Sequence, residues 1–216
     1  MKICTAIPHA GSIRPKTVEC LTRLLITTAQ ARITYNAKPT VPEIVPLFEE
    51  AGPLELKRTR LALKALQCGS DYLLWIDGDQ TFPPEALVRL MSHDKPMVGT
   101  NIASRHTGKP TALSFENENV PRTRGLEEVA AVGLGFCLMK TPLLQKVPHP
   151  WFASTITPEG ALRRGEDVHF CNQVRSAGFP IFVDHDLTVG HLTEQELILA
   201  REDEGADSAD PESGAG

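Results

Sequence analysis

The chain has 216 residues, of which 41% are hydrophobic and 23% charged, and its formal net charge is -5. This composition is typical of a folded globular protein, and it excludes wholesale disorder, collagen-like repeats and a coiled-coil rod. Six of the 27 acids and one of the 22 bases lie in residues 201–216, so residues 1–200 are neutral. Length and composition predict one domain over residues 1–198, followed by a disordered acidic tail over residues 199–216.

The cysteine pattern and the amino-terminal segment bear on where in the cell the protein is located. The five cysteines, at positions 4, 20, 68, 137 and 171, are widely spaced and form no CxxC pair, as expected in a reducing environment. The apolar run after Lys2 stops at Pro8, so we expect no signal peptide. No segment approaches the roughly 18 apolar residues that cross a bilayer. These features predict a cytoplasmic protein.

Strand and helix signals alternate along the first hundred residues. The predicted elements are a strand at 2–7, a helix at 15–28, a strand at 31–35, a Pro-rich stretch up to residue 46, a helix at 54–69, a strand at 72–76, a helix at 83–91 and a strand at 96–100. The continuous apolar run at 72–76 indicates a strand covered by helices on both faces. Such alternation is typical of a mainly parallel α/β sheet.

The second half of the chain is richer in strand signals. We predict strands at 129–132 and 136–140 around a Gly-Leu-Gly turn, a helix at 165–177, and strands at 180–183 and 187–190. The whole pattern predicts a single α/β domain with a mixed, mainly parallel central sheet and helices on both faces.

The strongest chemical signal is Asp77-Gly78-Asp79, directly after the predicted strand at 72–76. In open α/β sheets, ligands collect at the carboxyl ends of the strands. Two neighbouring carboxylates repel each other, and a cation relieves that repulsion. Carboxylate oxygens suit Mg²⁺ or Mn²⁺, which often complete their shell with substrate phosphates. The alternative is an Asx turn at the end of the strand.

Two later segments carry further candidate groups. Glu166 and Asp167 begin the helix predicted at 165–177, where helix N–H groups stabilise carboxylates, so capping is the alternative to a functional role. His191 follows the strand predicted at 187–190, where a purely structural histidine is the alternative. The order Asp-x-Asp after a strand, Glu-Asp on a helix, and Gly-His after a strand predicts one site built from three segments.

With these motifs, residues 1 to about 193 resemble a small GT-A-type glycosyltransferase that uses nucleotide-sugar donors, similar to short inverting family 2-like members from bacteria and phages. The segments that carry the resemblance are KICTAIP, LKRTRLALKAL, YLLWIDGDQTFPPEALVRLM, MVGTNIASR, VGLGFCLMK, GEDVHFCNQVRSAGFPIFVD and VGH. The resemblance implies a Rossmann-like GT-A fold, with a nucleotide-binding half over about 1–100 and an acceptor half over about 101–198.

The resemblance also implies a role for each motif. Asp79 and His191 would ligate Mn²⁺ or Mg²⁺, which would bridge the diphosphate of a UDP- or GDP-sugar and neutralise the leaving group. Asp77 would bind the ribose or contact the metal through water. Asp167 would be the general base for the acceptor hydroxyl, supported by Glu166. Attack opposite the leaving group would then invert the anomeric centre.

Other residues are expected around the donor. Pro8 would lie against the nucleotide base. Arg58 or Arg60 would face the base or the phosphates, with surface solvation as the alternative for one of the two. Gly133 and Gly135 would allow close backbone approach to the donor sugar, or they would merely form a tight turn.

The acceptor stays open between a glycan or small molecule and a hydroxymethylated base in phage-type DNA. Trp151 would stack on a sugar ring or an acceptor base, or it would pack in the core. A DNA acceptor would require a basic strip, for which the candidates are residues 14–16, 105–109, 122–124 and 163–164. Solvated basic loops are the alternative for each of them.

Two other function classes compete with a transferase. The segment around Asp77 and Asp79 also fits a haloacid dehalogenase-type phosphohydrolase, with Asp77 as nucleophile and Asp79 as acid/base. About 70 residues precede this strand, however, and the later acids Glu166 and Asp167 lie in the wrong setting for that chemistry. A non-catalytic nucleotide-sugar-binding module is the third hypothesis, and the presence of both acidic pairs in one chain disfavours it.

Overall fold

A computed structural model describes residues 1–105, 107–160, 162–193 and 196–199. The acidic tail predicted at 199–216 falls outside these residues except for Leu199, and the domain boundary near residue 198 stays a prediction.

In the described part of the chain the helices are α1 (Pro15–Gln30), α2 (Leu54–Gln67), α3 (Ala86–Ser92) and α4 (Glu166–Ser176), with a 3-10 helix at Thr141–Gln145. The strands are β1 (Lys2–Pro8), β2 (Ile33–Tyr35), β3 (Lys38–Thr40), β4 (Glu43–Glu49), β5 (Tyr72–Ile76), β6 (Gln80–Thr81), β7 (Met97–Gly99), β8 (Leu126–Val129), β9 (Phe136–Lys140), β10 (Thr155–Ile156), β11 (Leu162–Arg164), β12 (Ile181–Asp184), β13 (Gly190–Leu192) and β14 (Glu196–Leu197).

Seven strands form the central sheet in the order β4-β1-β5-β9-β7-β12-β8. β4, β1 and β5 are mutually parallel, and β7 and β12 run in the same direction as they do. β9 and β8 run the opposite way. Most strands therefore end at one edge of the sheet, which confirms the prediction of a mixed, mainly parallel sheet.

The alternation along β5 shows why both faces of the sheet are covered. Leu73 and Trp75 lie in a hydrophobic cluster that contains residues of α2 and α4. Tyr72, Leu74 and Ile76 lie in a second cluster that contains residues of α1 and α3. Successive side chains of a strand point to opposite faces, so a strand buried on both faces must be apolar throughout. The prediction drawn from this run is confirmed.

Several predicted boundaries differ from the structure. β4 lies where the sequence predicted a Pro-rich stretch. Pro46 is tolerated there because β4 is an edge strand, where the missing N–H removes no bond from the interior of the sheet. The strand predicted at 187–190 lies instead at Gly190–Leu192, and the one predicted at 129–132 lies at Leu126–Val129. Among the described residues, no helix combines the length and apolar character needed to cross a membrane.

Candidate active site at the carboxyl edge of the sheet

The first half of the site forms where β5 ends. The backbone N–H of Asp77 donates to the carbonyl of Gly135 at 2.8 Å, which holds the Gly-Leu-Gly turn against the end of the strand. The loop after β1 covers the Asp77-Gly78-Asp79 turn, since the N–H of Arg14 donates to the carbonyl of Gly78 at 2.8 Å. Asp77, the glycine turn and the loop after β1 therefore meet at one edge.

A small antiparallel sheet brings His191 to Asp79. β13 pairs with β6, so that His191 stands opposite Gln80, and the N–H of Leu192 donates to the carbonyl of Asp79 at 2.8 Å. His191 Nε2 lies 3.3 Å from Asp79 Oδ2. The structure thus brings together the two residues that the resemblance implied as metal ligands.

The imidazole of His191 is held through one nitrogen and presents the other to Asp79. Its Nδ1 lies 3.0 Å from the carbonyl oxygen of Ala103, which can only accept, so Nδ1 carries the proton of the neutral ring and Nε2 carries the lone pair. Nε2 is buried and has no aligned hydrogen-bond partner, although Asp79 Oδ2 is close. A lone pair facing a carboxylate oxygen calls for a proton or a cation between them. Of the two predicted ions, Mn²⁺ accepts an imidazole nitrogen more readily than Mg²⁺, which prefers oxygen ligands.

The electrostatics of this pair favour a proton as the bridging charge between the two groups. Burial opposes ionisation of Asp79, but contacts with His191 and the charge of Arg105 outweigh it and hold the pKa of Asp79 below its ordinary value. The contact with Asp79 raises the pKa of His191. Within the described residues, no three His, Cys, Asp or Glu side chains converge as a complete metal site. An ion here would therefore need further ligands from substrate or water.

Arg58 lies beneath the site and joins its two acidic segments. Its side chain is 2% exposed, with Nη2 3.1 Å from Asp77 Oδ1 and Nε 3.1 Å from Glu166 Oε1. The guanidinium also lies 5.4 Å from the centre of the Trp75 ring. This placement differs from the predicted contact with a base or phosphates, because the buried guanidinium is committed to protein carboxylates. Burial raises the pKa of Asp77, and the charge of Arg58 opposes that rise.

Arg60 points away from this cluster. Its side chain is 42% exposed and lies 3.5 Å from Glu49 Oε1, while it donates to the carbonyl of Ala51 at 3.0 Å. The structure does not bring Arg60 to Asp77. The solvated surface position that the sequence left open for one of the two arginines fits Arg60.

Asp167 stands in the first turn of α4 with one oxygen fixed. Its Oδ1 accepts a hydrogen bond from the N–H of Val168 at 2.7 Å. A Cβ on Gly165 would lie only 2.7 Å from that oxygen, so glycine is required for the carboxylate to fold back over the helix start. Burial, and then the negative charge of Glu166, raises the pKa of Asp167 to about 6. A carboxyl with this pKa can exchange a proton near neutral pH.

Gly133 and Gly135 are buried, and each lies near one of the acids. A Cβ on Gly133 would meet Thr111 Oγ1 at 3.2 Å and Asp167 Oδ2 at 3.9 Å. A Cβ on Gly135 would lie 3.4 Å from Asp77 Oδ2. The tight contacts are therefore with Thr111 at Gly133 and with Ile102 and Gln80 at Gly135, so a side chain at either position would require its neighbours to shift.

Pro8 and Trp151 are two further residues that were predicted to contact substrate. Pro8 is the buried last residue of β1, at the same sheet edge as Asp77. Trp151 is 3% exposed, and its indole N–H donates to the carbonyl of Val147 at 3.0 Å. It belongs to the hydrophobic cluster on the α2 and α4 face, so core packing fits this residue better than stacking on a ligand.

Some of the residues predicted to form a basic strip for DNA are bonded within the protein. Arg122 is buried and donates to the carbonyls of His185 and Leu199, so it is a structural residue. Lys16 pairs with Glu19 on the same helix. Residue 106 and the side chain at position 163 fall outside the described residues. Of the described candidates, Arg122 and Lys16 are thus bonded within the protein.

Arg105 was predicted only as part of that strip, but it belongs to the site. Its Nη2 lies 3.0 Å from Asp79 Oδ2. The available signal was its position in the loop that follows β7, a strand that ends at the same edge as β5. Gln80 was also missed: it is buried, its Nε2 lies 3.4 Å from Asp79 Oδ1, and its Oε1 has no partner in the described protein.

The comparisons with known proteins concern the fold. The chain superposes on the crystal structure of A197 from STIV with a TM-score of 0.60 and 16% identity, over 94% of this chain and 96% of that one. It superposes on GalNAc-T7, crystallised with UDP, GalNAc and Mn²⁺, with a TM-score of 0.55 and 11% identity. That match covers 89% of this chain and 44% of the other, so this chain spans less than half of GalNAc-T7. No protein-family model and no curated protein matches the sequence. The structural matches establish an α/β fold of GT-A type.

Proposed function

We propose that this chain is a metal-dependent glycosyltransferase that moves a sugar from a nucleoside-diphosphate donor to an acceptor hydroxyl. The observation that carries the proposal is the convergence, in a fold of GT-A type, of the Asp79–His191 pair with an acid of raised pKa, Asp167, at one sheet edge. Neither a structural turn nor helix capping calls for both groups.

Asp79 and His191 are the residues that would hold a divalent ion. When bound, the ion supplies positive charge to the leaving nucleoside diphosphate. The hydrogen bond from Nδ1 to Ala103 holds the ring of His191 so that Nε2 faces Asp79. Asp77, 27% exposed and oriented by Arg58, keeps an accessible surface with which to bind the ribose.

The donor class is proposed from the fold and from one structural neighbour. Because GalNAc-T7 was crystallised with UDP, GalNAc and Mn²⁺, a UDP-sugar with Mn²⁺ is the first donor to test, followed by a GDP-sugar with Mg²⁺.

Asp167 is proposed as the general base. With a pKa of about 6 it is mostly ionised at pH 7 to 8, and it is basic enough to take a proton as the acceptor oxygen attacks. Its Oδ1 is held by the N–H of Val168, which leaves Oδ2 on the side of Gly133 for the acceptor hydroxyl. Glu166 is anchored by Arg58, so it supports the orientation of the helix start. Attack opposite the leaving diphosphate would invert the anomeric centre.

A glycan or a small molecule is the proposed acceptor. A DNA acceptor receives less support, because Arg122 is bonded inside the protein and Arg105 contacts Asp79. Binding to duplex DNA that weakens steeply with salt would favour the DNA acceptor instead.

The phosphohydrolase alternative receives less support. A nucleophilic Asp77 needs a free oxygen, yet Arg58 Nη2 lies 3.1 Å and 3.4 Å from its two oxygens. A non-catalytic binding module would have no use for the raised pKa of Asp167.

The deciding experiment is a thermal-shift screen of UDP, GDP and their sugars with and without Mn²⁺, followed by an assay of donor hydrolysis and transfer. A ligand that binds only the folded state raises the melting temperature, and we expect Mn²⁺ and a nucleotide to do so together. Asp79→Ala should remove this joint shift, whereas Asp94→Ala, at an exposed surface ion pair with Lys140, should retain it. Hydrolysis of p-nitrophenyl phosphate that is lost in Asp77→Asn would support the phosphohydrolase.

A further inference from the structure

The loop over residues 103–110, described apart from residue 106, is tied directly to the candidate metal ligands. Its neck is closed by a bridge between Ala103 and Pro110 and by the hydrogen bond from the N–H of Ser104 to the carbonyl of Lys109 at 2.8 Å. The carbonyl of Ala103 accepts from His191 Nδ1 at 3.0 Å. The loop is therefore anchored at the imidazole.

Arg105, on this loop, contacts the same oxygen as His191. Its Nη2 lies 3.0 Å from Asp79 Oδ2, and that oxygen lies 3.3 Å from His191 Nε2. The Arg105 side chain is 51% exposed. By contrast with Arg58, which is buried between two acids, Arg105 is half-exposed and Asp79 is its one ion-pair partner among the described residues, so it can leave Asp79 without unfolding its surroundings.

A divalent ion bound to Asp79 and His191 would compete with this contact. An ion at about 2.1 Å from a carboxylate oxygen and a guanidinium at hydrogen-bond distance from the same oxygen repel each other strongly. The planar fork of a released arginine matches phosphate oxygens well, so Arg105 could then bind the phosphates of a donor at this site.

We propose that Arg105 is an exchangeable cation of the site: it neutralises Asp79 while no metal ion is bound, and it turns to the donor's phosphate oxygens when the ion takes its place. This inference rests on the proposed metal and diphosphate. It assigns Arg105 opposite effects on two binding steps, since the side chain competes with the ion but assists the nucleotide.

Two titrations of the full-length protein test the proposal. In the first, Mn²⁺ is titrated without nucleotide and free Mn²⁺ is followed by its paramagnetic resonance signal. Arg105→Ala should tighten Mn²⁺ binding by about 2–5-fold, the value of an exposed ion pair. In the second, UDP is titrated calorimetrically at saturating Mn²⁺, and the same variant should weaken UDP binding by about 10-fold or more, the value of a charge-assisted hydrogen bond.

Lys109→Ala is the matched control. It removes one positive charge from an exposed position of the same loop, so it reports the general electrostatic effect without the contact to Asp79. We expect it to change both constants by less than about 2-fold, because charges separated through solvent are screened. Arg105→Lys should fall between the wild type and Arg105→Ala, since it keeps the charge but loses the fork.

The outcomes separate this inference from the proposed function. Arg105→Ala that weakens Mn²⁺ binding, or leaves both constants unchanged, overturns the exchange while the glycosyltransferase proposal stands. Equal effects of Arg105→Ala and Lys109→Ala overturn it too, because charge alone would then explain them. A wild-type protein that binds neither Mn²⁺ nor UDP overturns the proposed function and this inference together.

Discussion

Asp77 and Asp79 are two residues apart on one turn, yet their surroundings differ. Asp77 belongs to the Arg58 cluster (Arg58, Asp77 and Glu166), where the cation is 2% exposed and bonded to two acids. Asp79 belongs to the Asp79 corner (Asp79, His191 and Arg105), where the arginine is half-exposed. Burial raises the pKa of Asp77, whereas the partners of Asp79 lower its pKa.

The contrast shows how one short motif serves two purposes. A buried arginine that bridges two carboxylates is strongly held, because its removal leaves uncompensated charges in a poorly solvated place. An exposed arginine contributes little and exchanges easily. The Arg58 cluster therefore joins the end of β5 to α4, whereas the proposed function places the metal ion at the Asp79 corner.

The largest expected effect lies beside the Arg58 cluster, at the proposed base. Asp167→Asn should lower the transfer rate by about 10²–10⁴-fold while UDP–Mn²⁺ affinity stays within about 2-fold, because only proton transfer is lost. In the wild type, the rate should fall as the pH drops through about 6, where Asp167 becomes protonated. Initial rates from pH 5 to pH 8.5, with calorimetry on the variant, measure both effects. Unchanged turnover in Asp167→Asn would remove the base from the mechanism.

The same substitution should affect different properties at the two aspartates: ligand affinity at Asp79 and stability at Asp77. Asp79→Asn should weaken Mn²⁺-dependent UDP binding by more than about 100-fold, since even groups that only orient metal ligands contribute about 10–100-fold. Its effect on stability should be small. Asp77→Asn should mainly lower stability, because Arg58 loses part of its charge compensation, and it should weaken UDP binding less than Asp79→Asn does, because the amide can still bond the ribose. Calorimetry and urea unfolding of both variants test this pairing, and equal losses of affinity would erase the distinction.

Removal of the buried cation Arg58 should lower the stability of the folded protein. Arg58→Met should lower the free energy of unfolding by about 3 kcal/mol, because two acids lose their partner in a buried position. Arg60→Met, two residues along α2 and paired with Glu49 at the surface, should change it by less than about 0.5 kcal/mol. Urea midpoints compare the two directly, and similar midpoints would show that Arg58 is not structural.

The smallest expected effect concerns the stability associated with Asp167. Its pKa in the folded protein, about 6, lies above its ordinary value of 3.8, so the folded state binds the proton more tightly than the unfolded state. Stability is therefore lost as the pH rises from about 4 to 6. Asp167→Asn should raise the free energy of unfolding by on the order of 1–2 kcal/mol at pH 8 and by little at pH 4. A pH-independent difference would contradict this origin.

Patterns that depend on a few neighbouring residues were predictable from the sequence. The apolar run at 72–76, the helix closed near Gly69 and the helix that begins with Glu166 and Asp167 agree with the structure within one or two residues. Periodicity and helix-start chemistry decide such elements locally. The edge strand β4 was missed, because whether Pro46 is tolerated depends on which strands surround it.

The site shows the same division. The sequence alone determined which residues carry charge and chemistry, and the resemblance assigned Asp79, His191 and Asp167 their expected roles. Only the tertiary structure decided which cation meets which acid: Arg58 lies under Asp77, Arg60 lies on the surface, and Arg105 reaches Asp79. The reason is physical. The cost of placing a charge depends on its burial and on partners distant in sequence, and chain folding, not local sequence, sets both.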